Sequence, residues 1–350
     1  MALSIPIVWT DAHREHDPER VVWVGVPIPA DEVPARAEAI REALTAAGAS
    51  LVAAEPHPDD PLLAVHDPGL VEFLCGAWEA WNDAGFPEEP GQPDVVGYVF
   101  PTPGLLAGLE PREPASLAAR TGLHCFDTMT PVGPGTWTAA RAAVDAALTA
   151  ADLVLAGERA AYASCRPPGH HATRSAFGGS CYLNSAAVAA RYLREHGSSR
   201  VALIDVDAHH GNGAQAIFRE DQSVLTASLH VDPAAGWFPH FLGFAEESDG
   251  ANVNVTLAPG TGDREWLSQL ERLLAAARVH RSEALVVALG VDGAAEDPNS
   301  PLEVTAEGFR EAGGRLGALG LPTVLVQEGG YVPETVGALV RAVLEGFDRA

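Results

Sequence analysis

Four short aliphatic runs constrain this chain more than any other feature: Val201–Val206, Val224–Leu229, Leu285–Leu289 and Thr323–Val326. Each has the length of one strand and stays largely apolar instead of alternating, the pattern of a strand buried on both faces. Helical periodicity appears in Pro34–Ala47, Gly69–Trp81, Thr136–Ala151, Asn184–Glu195, Asp263–His280, Val304–Leu319 and Glu334–Phe347. Strands that alternate with helices in this way specify a parallel sheet with helices on both sides. Residues Gly85–Pro134 differ: they are rich in proline and glycine and carry no clear period. The apolar pieces Val95–Phe100 and Leu123–Phe126 predict an ordered excursion there, near the site or at an oligomer contact. The expectation is a single domain over residues 1–350, with this long insertion at about 85–134.

In an open parallel sheet, ligands collect outside the carboxyl ends of the strands. The polar clusters of this chain fall at such ends. Asp205, Asp207 and His209 close the run from Val201, Asp292 closes the run from Leu285, and Glu328–Tyr331 follow the run from Thr323. His170 and His171 follow the apolar run Ala160–Cys165. Asp207 and His209 lie two apart, so on an extended strand end both side chains point the same way. With Asp292 they form an Asp/His/Asp set suited to zinc or iron, leaving room for water and a substrate carbonyl. The adjacent imidazoles of His170 and His171 sit on a proline-stiffened loop and suit general acid–base work, with Asp205 orienting His170 and Asn212 orienting His171. Tyr331, on a double-glycine turn, is a donor for a developing oxyanion. His210 is expected to brace the loop by hydrogen bonds.

Charge narrows the partners. The net charge is −25, and all 22 basic residues are arginine. A phosphate backbone would be repelled, which argues against nucleic acid, whereas a small cationic substrate would be attracted. Without lysine, no lysine Schiff base is available. No run of eighteen apolar residues suggests a membrane span, and the N-terminal stretch lacks the pattern of a secretory signal, so a cytoplasmic location is expected. Cys75, Cys125, Cys165 and Cys181 show no CxxC or framework spacing and read as small buried hydrophobes.

Six ordered motifs carry a resemblance: RPPGHHA (Arg166–Ala172), FGGSCYLN (Phe177–Asn184), DVDAHHGNG from Asp205, SLH (Ser228–His230), LGVDG around Asp292 and EGGY ending at Tyr331. Together they resemble the histone deacetylase superfamily. Val65–Trp81, Pro131–Trp137 and Phe238–Glu247 make the chain most similar to bacterial acetylpolyamine amidohydrolases within it. The resemblance implies the arginase/deacetylase α/β fold, an eight-stranded, mostly parallel sheet between helices. It implies zinc (iron also suits the set) on Asp207, His209 and Asp292, with His170 and His171 as the acid–base pair and Tyr331 polarising the acetyl carbonyl. It also implies a potassium ion on Asp205, Asp207, His209, Ser228 and Leu229. Gly179 would accept the substrate amide through its carbonyl. Phe238 would form one tunnel wall, Ser180 stands where an aromatic is expected on the other, and Trp23 replaces a tyrosine near the entrance. Val21, Ala118 and Met129 occupy places where glutamates would meet distant ammonium groups. A homodimer through the 85–134 loop is implied. The activity implied is hydrolysis of an acetylated polyamine or similar small amine. A specialised acetylated metabolite or acetyl-lysine are alternatives, and a ureohydrolase or a non-catalytic binding relative are more distant ones.

Overall fold

Eight parallel strands carry the molecule, in a computed structural model that describes residues 2–350. In chain order the strands are β1 (Ile7–Trp9), β2 (Arg20–Trp23), β3 (Val26–Pro29), β4 (Leu51–Ala53), β5 (Ala160–Ala163), β6 (Val201–Asp205), β7 (Val224–Val231), β8 (Asn252–Leu257), β9 (Ala284–Leu289) and β10 (Thr323–Gln327). The main sheet runs β4-β1-β5-β10-β9-β6-β7-β8, and every pairing within it is parallel. The four expected runs are β6, β7, β9 and β10, each within two residues of the sequence reading.

Strand alternation splits the core into two layers. Val201, Leu203, Val286, Ala288, Val324 and Val326 face one cluster, packed against the helices Thr136–Leu155 and Ser185–His196. Ala202, Ile204, Leu285, Val287, Leu289 and Leu325 face the other, which holds residues of the helices Asp263–His280, Ala306–Gly317 and Pro333–Asp348. Both faces are therefore dry, which is why these strands read as continuous apolar runs.

Three strands of the sheet had no legible signal. β1 and β4 are three residues long, too short for a period, and β8 alternates asparagine with valine. The asparagines of β8 are buried and bonded, Asn252 to Thr226 and Asn254 to Gln215. A two-stranded antiparallel hairpin, β2–β3, stands outside the main sheet, with a Val24–Gly25 turn in which both residues have positive φ. The stretch from Gly85 to Pro134 is mostly irregular, but it contains the helix Leu117–His124 and a single turn at Pro103–Leu106. Eight residues are too few for helical periodicity to show against such a background.

Candidate active site

Neighbouring strands β5, β10, β9 and β6 end side by side, and their carboxyl ends bring the polar clusters together. Asp207, His209 and Asp292 offer ligand atoms that all lie within 4.8 Å of one another. His209 Nδ1 stands 3.1 Å from Asp207 Oδ1 and 2.9 Å from Asp292 Oδ2. The outer carboxylate oxygens are held by backbone: Gly329 N donates to Asp207 Oδ2 at 2.8 Å, and Ala208 N to Asp292 Oδ1 at 2.9 Å. Gly329 has to be glycine, because a Cβ would meet Asp207 Oδ2 at 2.4 Å and Asp292 Oδ2 at 2.6 Å.

Two buried carboxylates around one imidazole make a place that demands positive charge. Burial works against protonating His209, yet hydrogen bonds to Asp207 and Asp292 push it up to about 10. Burial raises Asp292 to about 7, and Asp207 adds to the effect. A divalent cation would satisfy both carboxylates and take the place of that proton, so the donor set fits a hydrolytic metal with an open position.

Beside this cluster the rings of His170 and His171 lie 4.0 Å apart between centroids. His170 Nδ1 donates to Asp205 Oδ2 at 2.9 Å. His171 Nδ1 lies 2.7 Å from Asn212 Oδ1, and Asn212 Nδ2 donates to the His171 carbonyl at 3.2 Å. That second bond orients the amide so that its oxygen faces the ring. His171 therefore carries its proton on Nδ1 and keeps Nε2 free. Burial opposes charge on both rings; Asp207 and Asp205 overcome this at His170 and raise it, whereas at His171 the neighbouring His170 and His209 reinforce it and lower it.

A cavity of about 560 Å³ opens from His171, His209, Gly179 and Tyr331 to the surface. Phe238 and Ser180 line it above that floor, and Val21, Trp23 and Met129 line it toward the exposed hairpin. Ala118 does not belong there: it is buried on the Leu117–His124 helix, because that segment folds back against the Pro68–Asp83 helix. Gly179 has φ +59, and a Cβ there would meet His171 Cδ2 at 2.5 Å. Ser180 follows with φ +62, so the two residues form a tight left-handed turn closed by the Gly178–Cys181 backbone bonds. Thr130 Oγ1 and Asp127 Oδ2 hold the amides of Ser180 and Gly179, at 2.9 and 2.6 Å.

Several residues that shape the site were assigned no role from the sequence. Phe126 stacks on Phe238 with centroids 6.4 Å apart, so an aromatic from the long insertion stands near the wall where Ser180 offers none. Glu328 Oε2 accepts from Gly169 N and His170 N, at 2.6 and 3.1 Å. Arg36 donates to the Gly330 and Glu328 carbonyls and lies 4.5 Å over the Tyr331 ring. His66 bridges the Thr173 carbonyl and the Asn184 amide, at 2.9 Å each, and Asn184 in turn holds the Ala172 carbonyl. Apart from the Asn184–Ala172 bond, these contacts join positions more than a hundred residues apart, which no local pattern encodes. His210 bonds Gln215 at 3.0 Å. Asp205 and Ser228 are register partners across β6 and β7, and Leu229 is the next residue on β7.

The histone deacetylase domain family matches residues 30–347. The chain belongs to that family. Among its deacetylase-family relatives, acetylpolyamine amidohydrolase of Mycoplana ramosa is 38% identical over 97% of this chain and 98% of its own length. Acetylpolyamine amidohydrolase 1 of Pseudomonas aeruginosa is 37% identical over 98% and 99%. A crystal structure of acetylpolyamine aminohydrolase from Burkholderia pseudomallei superimposes with a TM-score of 0.92 at 36% identity, covering 98% of both chains. The deacetylase fold thus extends through the 85–134 insertion as well.

Proposed function

We propose that this deacetylase-family chain is a zinc-dependent amidohydrolase that cleaves the amide of a small acetylated amine, releasing acetate and the free amine. The observation that carries the reading is the open Asp207/His209/Asp292 set beside a His171 whose Nε2 is free, at the floor of a cavity. The names of the relatives support an acetylated polyamine, or an amine like it, as substrate.

Asp207, His209 and Asp292 would hold the metal. Zinc, when bound, supplies Lewis-acid polarisation of the acetyl carbonyl and a more acidic water. His171 takes the proton of the attacking water on Nε2, while Asn212 holds Nδ1 and keeps the ring in that tautomer. His170, held by Asp205 and with its ring against that of His171, is the second imidazole of the acid–base pair. Tyr331 donates its hydroxyl to the same oxygen. The Gly179 carbonyl receives the amide N–H, and the proton gathered by His171 passes to the departing nitrogen.

Further elements of the reading are a potassium ion near Asp205 and Ser228, a homodimer through the insertion, and a cytoplasmic setting. Tyr98, Leu105 and Leu109 support the interface, being 71%, 64% and 74% exposed on that insertion. All four cysteines are free, as suits a reducing compartment. Purified protein should hold one zinc per chain and hydrolyse N-acetylputrescine. Two manganese ions with release of urea from a guanidino substrate would overturn the reading.

A further inference from the structure

We propose that Glu247, acting through Gln215, is a positioning residue that sets the Phe238 wall against His171 and so favours slender acetylated amines over bulky ones. This deepens the deacetylase reading and rests on it. Phe238 stands on the segment between β7 and β8. Its ring lies 4.8 Å from that of His171, and a Cβ on Gly179 would meet it at 2.8 Å. The residues that follow do not bury it in place: Phe241 is 85% exposed and Leu242 43%. From Gly236 to Leu242, the one hydrogen bond to another part of the described chain runs from the Trp237 indole to the Asn299 carbonyl, at 2.9 Å.

Gly243 ends that loose stretch and is clamped. It presses on the His210 ring, where a Cβ would meet Cγ at 2.7 Å, and its φ of +96 favours glycine. Its carbonyl accepts from His230 Nε2 at 2.7 Å, and its amide donates to the Glu247 carboxylate at 3.1 Å. Phe244 N donates to the same carboxylate at 3.3 Å. Glu247 has no ion-pair partner among the described residues; its third donor is Gln215 Nε2, at 2.9 Å. Gln215 is not free to turn over. Its Oε1 already accepts from the Asn252 and Asn254 amides, at 3.0 and 2.9 Å, so a flip would set N–H against N–H.

Gln215 belongs to the helix Asn212–Phe218, whose first residue orients His171. One short helix therefore fixes both the ring that takes the proton and, through Glu247, the ring that packs against the substrate. Removing the carboxylate would leave three N–H groups without their acceptor, and the wall would relax away from His171. A slender chain would then lose its packing against Phe238, whereas a bulky amine would lose little.

The test compares N-acetylputrescine, which is slender, with N-cyclohexylacetamide, which is bulky. The proteins are wild type, Glu247→Ala and the exchange Gln215→Glu/Glu247→Gln. Glu247→Ala should shift the kcat/KM ratio of slender to bulky about tenfold, mainly through KM for N-acetylputrescine. The exchange keeps every donor and acceptor with the pair reversed, so its ratio should return to within about twofold of wild type. Partial unfolding alone would lower both activities in proportion and leave the ratio unmoved. An unchanged ratio in Glu247→Ala, or one that the exchange fails to restore, would overturn the assignment. If Glu247→Ala does not fold, Glu247→Gln sets two amide groups face to face and should shift the ratio in the same direction. Crystal structures of these proteins need no turnover: the Phe238 ring should stand about 1 Å farther from His171 in the single variant and return in the exchange. If no acetylated amine is hydrolysed, the deacetylase reading falls, but that displacement still upholds the brace. An unmoved ring removes it.

Discussion

The floor and the mouth of one cavity are built on opposite plans. The floor is carried by ends of buried strands and by loops tied to them, so that Asp207, Asp292, His170 and His171 are all buried and each has a defined partner. The mouth is carried by the β2–β3 hairpin, the insertion and the segment around Phe238. Its side chains are largely exposed, with Trp23 at 56%. The contrast teaches that the bond-breaking chemistry is tied to the core, whereas substrate choice rests on loops that can change without disturbing it.

Stripping metal should separate the two regions most sharply. A chelator should abolish hydrolysis, and added zinc should restore it; retained activity in metal-free protein would sink the assignment of Asp207, His209 and Asp292. Next in size is His171→Ala, expected to lower kcat roughly 10²–10⁴-fold, the range for a general acid–base group. Tyr331→Phe should cost roughly 10²–10³ in rate, the scale of one oxyanion donor. Full activity in that variant would remove Tyr331 from its role.

A buried brace of the floor gives a pH prediction. Burial lowers His66 to about 4 from 6.5, so the folded state holds it neutral. Its contribution is present above pH 6.5 and is lost as pH falls toward 4, worth roughly 3 kcal/mol if complete. Urea midpoints should drop over that window in wild type. His66→Gln should be less stable at pH 7 but flatter with pH; an equally steep profile would assign the loss to other groups.

The smallest effects belong to the mouth. Phe126→Ala should raise KM a few-fold with little change in kcat, since it removes an aromatic beside Phe238 but no bonding partner of the floor. Ser180→Tyr should narrow the cavity and alter the ranking of bulky and slender acetylated amines. If either variant lost activity to the extent of His171→Ala, the separation of floor from mouth would fail.

The floor was legible because its ligands lie within four residues of strand ends; β6 stops at Asp205 and β9 at Leu289, so Asp207, His209 and Asp292 sit on the bends and turns that follow and not on extended strand. Each short motif folds locally, and a parallel sheet gathers the ends of its strands at one edge. The mouth was legible only in part. Val21 and Met129 reach it, but Ala118 turned inward with its helix.

By itself, then, the amino-acid sequence determined a helix-covered parallel sheet and the residues gathered at its edge, since burial patterns and motif spacing are local properties of the chain. Only the tertiary structure decided that Glu247 meets Gln215, that Phe126 comes to stack on Phe238, and that His66 braces the histidine loop. Those outcomes depend on which distant segments share a buried space. Nothing in the spacing of neighbouring residues records that.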